Sequence, residues 1–170
     1  NTLIGTFAGR TLTSGTTNTM LGVGYNGGGV TTGSNNTLIG NAAAASSTSV
    51  SNEITLGNTS VTTLRCQVTS ITAISDRRDK TNIEDSNYGL ELIEKLKPVT
   101  FDWNTRDGSK VGVKDLGFIA QELQTVDDDY LNLVYDSNPE KLEATYGRLI
   151  PVLVKAIQDL SAKVKALENA

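Results

Sequence analysis

The chain has no histidine and one cysteine, Cys66, among its 170 residues. Without histidine, the side chain that most often serves as general base and metal ligand near neutral pH is missing. Hydrolytic chemistry must then fall to lysine, aspartate or glutamate. A single cysteine excludes an intrachain disulfide framework and a cysteine-built zinc site. No metal or cofactor is expected. No apolar run approaches the roughly 20 residues that span a bilayer as a helix. No block of lysine and arginine marks a nucleic-acid or anionic-membrane partner, so neither is expected. Aromatic residues make up only 5% of the chain, so any core must be built from small and aliphatic side chains. No signal peptide is evident, and the opening at Asn1 in mid-pattern is expected of a piece of a longer protein.

Charge is also scarce, but only in one half. Residues 1–74 contain Arg10, Glu53 and Arg65 and nothing else charged; residues 75–170 hold the other 13 basic and 18 acidic residues. This shift predicts two domains, 1–74 and 75–170.

The uncharged half repeats. Asn1-Thr2-Leu3-Ile4-Gly5 returns as Asn18-Thr19-Met20-Leu21-Gly22 and Asn36-Thr37-Leu38-Ile39-Gly40, with a weaker copy at Glu53-Ile54-Thr55-Leu56-Gly57. The closing glycines are 17, 18 and 17 residues apart. Each copy is a short β-prone segment ended by glycine and followed by turn-forming residues. One copy is too small to bury a core, but stacked copies can do so, as in solenoids. Leu3, Ile4, Met20, Leu21, Leu38 and Ile39 make a thin apolar row, which predicts that three chains supply the core together. The expectation is an all-β trimeric repeat stem, β-helix-like or β-prism-like. Ala42 to Ser47 reads as a bend. Residues 54–68 read as extended from their β-branched content (Val61, Thr62, Thr63, Val68), and Thr69 to Ile74 continues that character. Cys66 reads as a small packed residue.

The charged half reads as α+β. Tyr88 to Leu96 suits a short helix ended before Pro98. Val99 to Trp103 alternates as a strand, with Phe101 and Trp103 as core or interface residues. Asn104 to Lys110 is a hairpin-type turn, and Val111 to Gly117 its return strand. Phe118 to Leu123 suits another short helix, Tyr130 to Tyr135 a strand, and Asp136 to Pro139 a turn. A long helix starts between Thr145 and Pro151, with Tyr146 and Arg148 near its start; proline is tolerated in a first turn, where its missing N–H costs little. Within it Leu153, Ile157, Leu160, Val164 and Leu167 are spaced 4, 3, 4 and 3 apart, a heptad seam. A seam of about two heptads is marginal alone; it fits a core-facing helix of a single chain, but because the repeats call for threefold symmetry a three-chain coiled coil is expected.

At the boundary lies Ser75-Asp76-Arg77-Arg78-Asp79-Lys80-Thr81-Asn82-Ile83. A serine can attack an amide when a base removes its proton, and a neutral lysine can be that base. An unperturbed lysine has a pKa near 10.4, so neutrality at pH 7 requires roughly 4 kcal/mol from burial or nearby positive charge. Arg77 and Arg78 could supply charge; Asp76 and Asp79 would oppose it. Residues five apart share no face of a regular helix or strand. Ser75 and Lys80 can therefore meet only across a turn or a chain interface, and spacing alone also fits a solvated charged turn.

This stretch resembles the Ser-Asp-x-Arg-x-Lys-x-Asn-Ile signature of the intramolecular chaperone domain of phage endosialidases and tail fibres, a self-cleaving serine-lysine peptidase family that includes the myelin regulatory factors. Leu92 to Trp103 is similar to that family's strand entry, Gly117 to Leu123 to its Gly-Phe-Ile-Ala-Gln-Glu segment, and Tyr146 to Leu160 to its closing helix. Together the matches span residues 75–170. The Asn-Thr-Leu-Ile-Gly repeats also look like fibre stems that precede this domain.

The resemblance implies that Ser75 is the nucleophile and Lys80 the general base, with Arg78 and Asn82 at supporting positions and the cut between Ile74 and Ser75. It implies a homotrimer that guides folding of its own upstream stem and then releases itself by one turnover. It also implies a virion location after synthesis in the host cytoplasm, loss of the chaperone fragment, and a stem open to a host-surface receptor. Asp79 departs from the pattern at a position that is often apolar. The rival reading is a structural, receptor-binding fibre tip that stays uncut. A conventional sugar hydrolase using Asp127, Asp128 and Asp129 is a third, against which three adjacent acids more simply form a solvated turn.

Overall fold

The computed structural model describes residues 1–22, 24, 29–68 and 70–170. Eight strands occur in chain order among the described residues: β1 Thr2–Ile4, β2 Thr19–Leu21, β3 Thr37–Ile39, β4 Ile54–Leu56, β5 Val99–Asn104, β6 Val111–Gly117, β7 Val134–Tyr135 and β8 Glu143–Ala144. Three helices join them: α1 Leu90–Ile93, α2 Ala120–Leu123 and α3 Leu149–Glu168. The chain is a mixture of sheet and helix that ends in a 20-residue helix. By contacts it divides into two units, one of residues 1–63, 101–115 and 136–142, the other of 64–100, 116–135 and 143–170.

In the first unit, each repeat read from the sequence becomes one strand. β1, β2, β3 and β4 pair in that order, all parallel and in register, so Leu3, Met20, Leu38 and Thr55 stand in one row and Ile4, Leu21, Ile39 and Leu56 in the next. Alternation along a strand sends these rows to opposite faces. Met20 and Leu38 are buried with Val30, against Ala8, Leu12, Ala43 and Ala45. Ile4, Leu21, Ile39 and Leu56 are exposed. The six-residue row expected to be shared between chains is therefore split: Met20 and Leu38 serve a small core inside one chain, and Leu3, Ile4, Leu21 and Ile39 remain exposed.

Asparagine completes that core. Asn18 and Asn36 are each 1% exposed, and burial of an unpaired amide would be costly. Each is paired. Asn18 Nδ2 donates to the Gly33 carbonyl and Asn36 Nδ2 to that of Val50, while their Oδ1 atoms accept the N–H of Asn36 and of Glu53. The residues just before the ladder positions, Thr17, Asn35 and Asn52, all take the left-handed conformation (φ 56°, 58° and 64°), which kinks the chain into each strand.

β5 and β6 pair as a hairpin. Phe101 and Trp103 are half-buried on one side of β5, packed edge to face at 5.2 Å, and Lys110 lies 4.3 Å over the Trp103 ring. Trp103 Nε1 donates to Asp115 Oδ2.

The second unit packs α1 against α3 and α2 against β8. Leu92, Leu123, Leu131, Leu133, Leu149 and Val152 form its buried cluster, each fully buried leucine contributing roughly 1.5–3 kcal/mol. α3 starts at Leu149, one 3₁₀ turn after Thr145, and holds Pro151 in its first turn. The acids at 127 and 128 form the staples of a loop. Asp127 accepts the N–H groups of Asp128, Leu133 and Val134. Asp128 accepts those of Tyr130 and Leu131 and the Tyr88 hydroxyl, and the Tyr88 bond holds its carboxyl below the usual range.

Three expectations differ from the structure. Beyond Leu56 the segment to Asp76 forms no regular element among its described residues; Thr69 lies outside them. β-branched residues favour a strand only where a neighbouring strand can pair, and here Leu64, Val68, Ile71 and Ile74 stand 67–99% exposed in the single chain. Cys66 is exposed rather than packed. Of residues 130–135 only Val134 and Tyr135 form a strand, because Asp127 and Asp128 curl the preceding residues into the stapled loop.

Candidate functional site

Ser75 sits at the end of the irregular segment, and the next residues turn the chain sharply. Asp76 is extended (φ −67°, ψ 136°), and its Oδ1 accepts the backbone N–H of Arg78 at 2.8 Å. A short acidic side chain at this position satisfies a donor that a helical turn leaves open. Arg77–Asp79 then forms one 3₁₀ turn, closed by Asp79 N–H to Asp76 C=O and Lys80 N–H to Arg77 C=O, both 3.2 Å. Lys80 returns to extended backbone (φ −127°, ψ 142°). Its side chain folds back over the turn, placing Nζ 2.6 Å from Ser75 Oγ and 3.3 Å from the Ser75 carbonyl oxygen.

Ser75 and Lys80 thus come together. Arg78 turns to Asp76 instead: Nε lies 3.1 and 3.2 Å from the two carboxylate oxygens and Nη2 2.6 Å from Oδ2. The Arg78 guanidinium, then its backbone N–H, holds the Asp76 carboxyl below its ordinary range, and Asp76 in turn raises the guanidinium's pKa. Arg78 is therefore neutralised by Asp76, and its role at the turn is to hold the capping carboxylate. Asp76, which sequence reasoning weighed only as an unfavourable charge, is the residue that forms the turn. Asn82 lies two residues past Lys80 in the left-handed conformation (φ 50°), where asparagine is one of the few tolerated side chains, and it hydrogen-bonds neither Ser75 nor Lys80.

The pair is open. Ser75 and Lys80 are exposed, and Ile74, on the other side of the peptide bond, is 91% exposed. Chemically, a hydroxyl within hydrogen-bond reach of an amine can pass its proton to that amine whenever the amine is neutral. Burial or added positive charge would favour the neutral form.

Residues 75–132 match the family model described as chaperone of endosialidase, Peptidase S74. Among curated proteins the chain is similar to the long tail fiber proteins Gp37 of Enterobacteria phages K3 and T2, each 33% identical over 96 residues. The match covers 56% of this chain and only 8% and 7% of those two proteins, so the chain spans less than a tenth of their length. No solved structure matches significantly. The stretch that holds Ser75, the capped turn and Lys80 is thus similar to the chaperone-of-endosialidase family, named as peptidases, and to a short part of phage long tail fibre proteins.

Proposed function

We propose that residues 75–170 are an intramolecular chaperone that trimerises, aligns three copies of the stem formed by residues 1–74, and then severs itself from that stem. The contact between Lys80 Nζ and Ser75 Oγ carries this reading. In the reaction, neutral Lys80 takes the hydroxyl proton as Oγ attacks the Ile74 carbonyl carbon. The C–N bond to Ser75 breaks, its nitrogen receives the proton, and Ile74 is left as an ester on Oγ. Water then hydrolyses the ester, giving a stem that ends at Ile74 and a fragment of 96 residues that begins at Ser75.

Assembly supports both halves of this reading. The exposed pair lacks in the single chain the burial that favours a neutral amine, and neighbouring chains would supply it. Register is the slow step in pairing distant strands, and a trimeric clamp raises the local concentration of the three stems. The exposed seam residues Leu153, Ile157, Leu160, Val164 and Leu167, and the uncovered row Ile4, Leu21, Ile39 and Leu56, are the surfaces such a trimer would cover. The product belongs in a virion, with the fragment lost.

A denaturing gel with fragment masses tests the reading. Natively purified protein should give two bands, and the smaller fragment should begin at Ser75. Ser75→Ala should give one band and still assemble. A properly assembled wild type that stays whole refutes the cleavage.

A further inference from the structure

The asparagine ladder ends at Glu53, the only acid among residues 1–74. Asn1, Asn18 and Asn36 each work twice. Oδ1 accepts the N–H of the next ladder residue at 2.8, 2.9 and 3.0 Å, and Nδ2 donates to the carbonyls of Gly15, Gly33 and Val50 at 2.9, 2.9 and 2.8 Å. Glu53 receives the ladder, since its N–H is the donor to Asn36 Oδ1. It cannot extend it in kind, because a carboxylate has no donor to offer the next carbonyl. Its oxygens instead accept the Ser46 N–H at 2.9 Å, the Ser46 hydroxyl at 2.6 Å and the Thr55 hydroxyl at 3.0 Å.

Ser46, fixed in this way, presents its remaining polar groups to the loop between β7 and β8. Asn138 Nδ2 donates to the Ser46 carbonyl at 2.7 Å, and Ser137 Oγ lies 2.8 Å from Ser46 Oγ. The one hydroxyl proton of Ser46 is committed to Glu53, which can only accept, so Ser137 is the donor between the serines. The loop is shaped to do this. Asn138 Oδ1 accepts the Glu140 N–H at 3.0 Å, the Asn138 carbonyl accepts the Lys141 N–H at 2.9 Å, and Arg106 donates to the Glu140 carbonyl.

We propose that Ser46 and Glu53 form a docking site at the last rung for the Ser137–Asn138 tip, and that glutamate in place of asparagine creates it. The tip then recognises only a closed rung, because Ser46 is aimed at it only when Glu53 holds the serine's N–H and hydroxyl. This rests on the reading of residues 75–170 as a chaperone acting on residues 1–74. Since the tip lies beyond the proposed cut, cleavage of the Ile74–Ser75 bond leaves this contact to be broken before the fragment departs.

The test uses the uncut full-length Ser75→Ala chain and hydrogen exchange resolved by mass spectrometry. Asn138→Asp keeps the acceptor for Glu140, removes the donor, and sets a carboxylate against the Ser46 carbonyl. It should raise exchange of amides 44–47 roughly tenfold while leaving those of Thr19–Leu21 unchanged. Glu53→Asn, too short to hold Ser46, should do the same. Ser137→Ala, which leaves the loop's own bonds intact, should give a smaller rise at the same amides. Parental exchange at 44–47 in Asn138→Asp, or in Ser137→Ala should the first variant not fold, overturns the proposal. Cleavage plays no part in this measurement, so an uncut wild type would remove the autoproteolysis reading and leave this result standing.

Discussion

Lys80 Nζ lies 2.6 Å from Ser75 Oγ across a turn whose 3₁₀ segment is only three residues long. A hydrogen-bonding lysine and a proton-accepting lysine are different things, and arginine separates them. Lys80→Arg keeps a cationic donor over the turn but cannot be deprotonated in a protein. It should leave the chain uncut, with assembly unchanged by sedimentation. Cleavage at the wild-type rate in Lys80→Arg would mean that Lys80 only positions Ser75 and that another group removes the proton.

The turn itself should respond to acid. The Arg78 guanidinium holds the Asp76 carboxyl below its ordinary range. A carboxyl whose folded pKa is depressed stabilises the fold above its unfolded pKa, near 3.9, and loses that contribution as pH falls through the folded value. In Ser75→Ala, where cleavage cannot interfere, the amide resonance of Arg78 should stay constant from pH 7 to 5 and move only below the normal carboxylate range. Arg78→Ala should bring that midpoint up toward 3.9. A midpoint unchanged by Arg78→Ala would show that the backbone bond alone sets it.

How far the sequence foretells this molecule depends on whether the relevant partner is local. The recurrence of Asn-Thr-Leu-Ile-Gly marks all four parallel strands, because each repeat stacks on a copy of itself and needs nothing else. The 4-3-4-3 spacing of Leu153 to Leu167 marks one apolar stripe along α3, which is exposed in the single chain. Which face of α3 meets the core is not legible in that spacing: Leu149, Val152 and Ala156 are buried, and the seam is exposed. Val61 to Ile74 looks extended by composition, but its described residues have no strand beside them in one chain. At the boundary, the Ser-x4-Lys spacing is compatible with contact, but the capped turn that makes contact depends on Asp76 Oδ1 finding the Arg78 N–H. That bond belongs to the backbone path and no residue pattern displays it. Glu53 in the asparagine row is visible as a departure from the repeat, and its meaning needs Ser46, seven residues away, and Asn138, in another hairpin.

Glycines of equal frequency should differ sharply in importance. Gly22 has φ +135°, and an added Cβ would lie 2.4 Å from the Gly40 carbonyl oxygen of the next rung. Neither the conformation nor the space admits alanine. Gly108, in the β5–β6 turn at φ +70°, has nothing within 4 Å of such a Cβ. Gly22→Ala should cost roughly 2–5 kcal/mol from strain and overpacking, and Gly108→Ala about 1–2 kcal/mol from backbone conformation alone. Denaturant midpoints of the two variants in one background compare them directly. Equal shifts would mean that the rungs do not stack as closely as described.

The two sides of α3 make the last separation, between holding the unit together and joining copies of it. Leu149 is 7% exposed inside the cluster with Leu92 and Leu133, so Leu149→Ala should destabilise the fold by roughly 2–5 kcal/mol. Ile157 is 67% exposed and Leu160 51% exposed in the single chain. An aspartate at either position meets only solvent in a monomer, so circular dichroism should be unchanged. In a three-chain seam the same aspartates would bring three carboxylates into an apolar core, where burial without partners is prohibitive. Ile157→Asp and Leu160→Asp should therefore yield folded monomers by sedimentation. Because assembly is proposed to complete the site at Ser75, they should also stay uncut despite an intact Ser75 and Lys80. Aspartate variants that still assemble would move the interface off this seam. Monomers that still cut themselves would place every group needed for the chemistry within one chain.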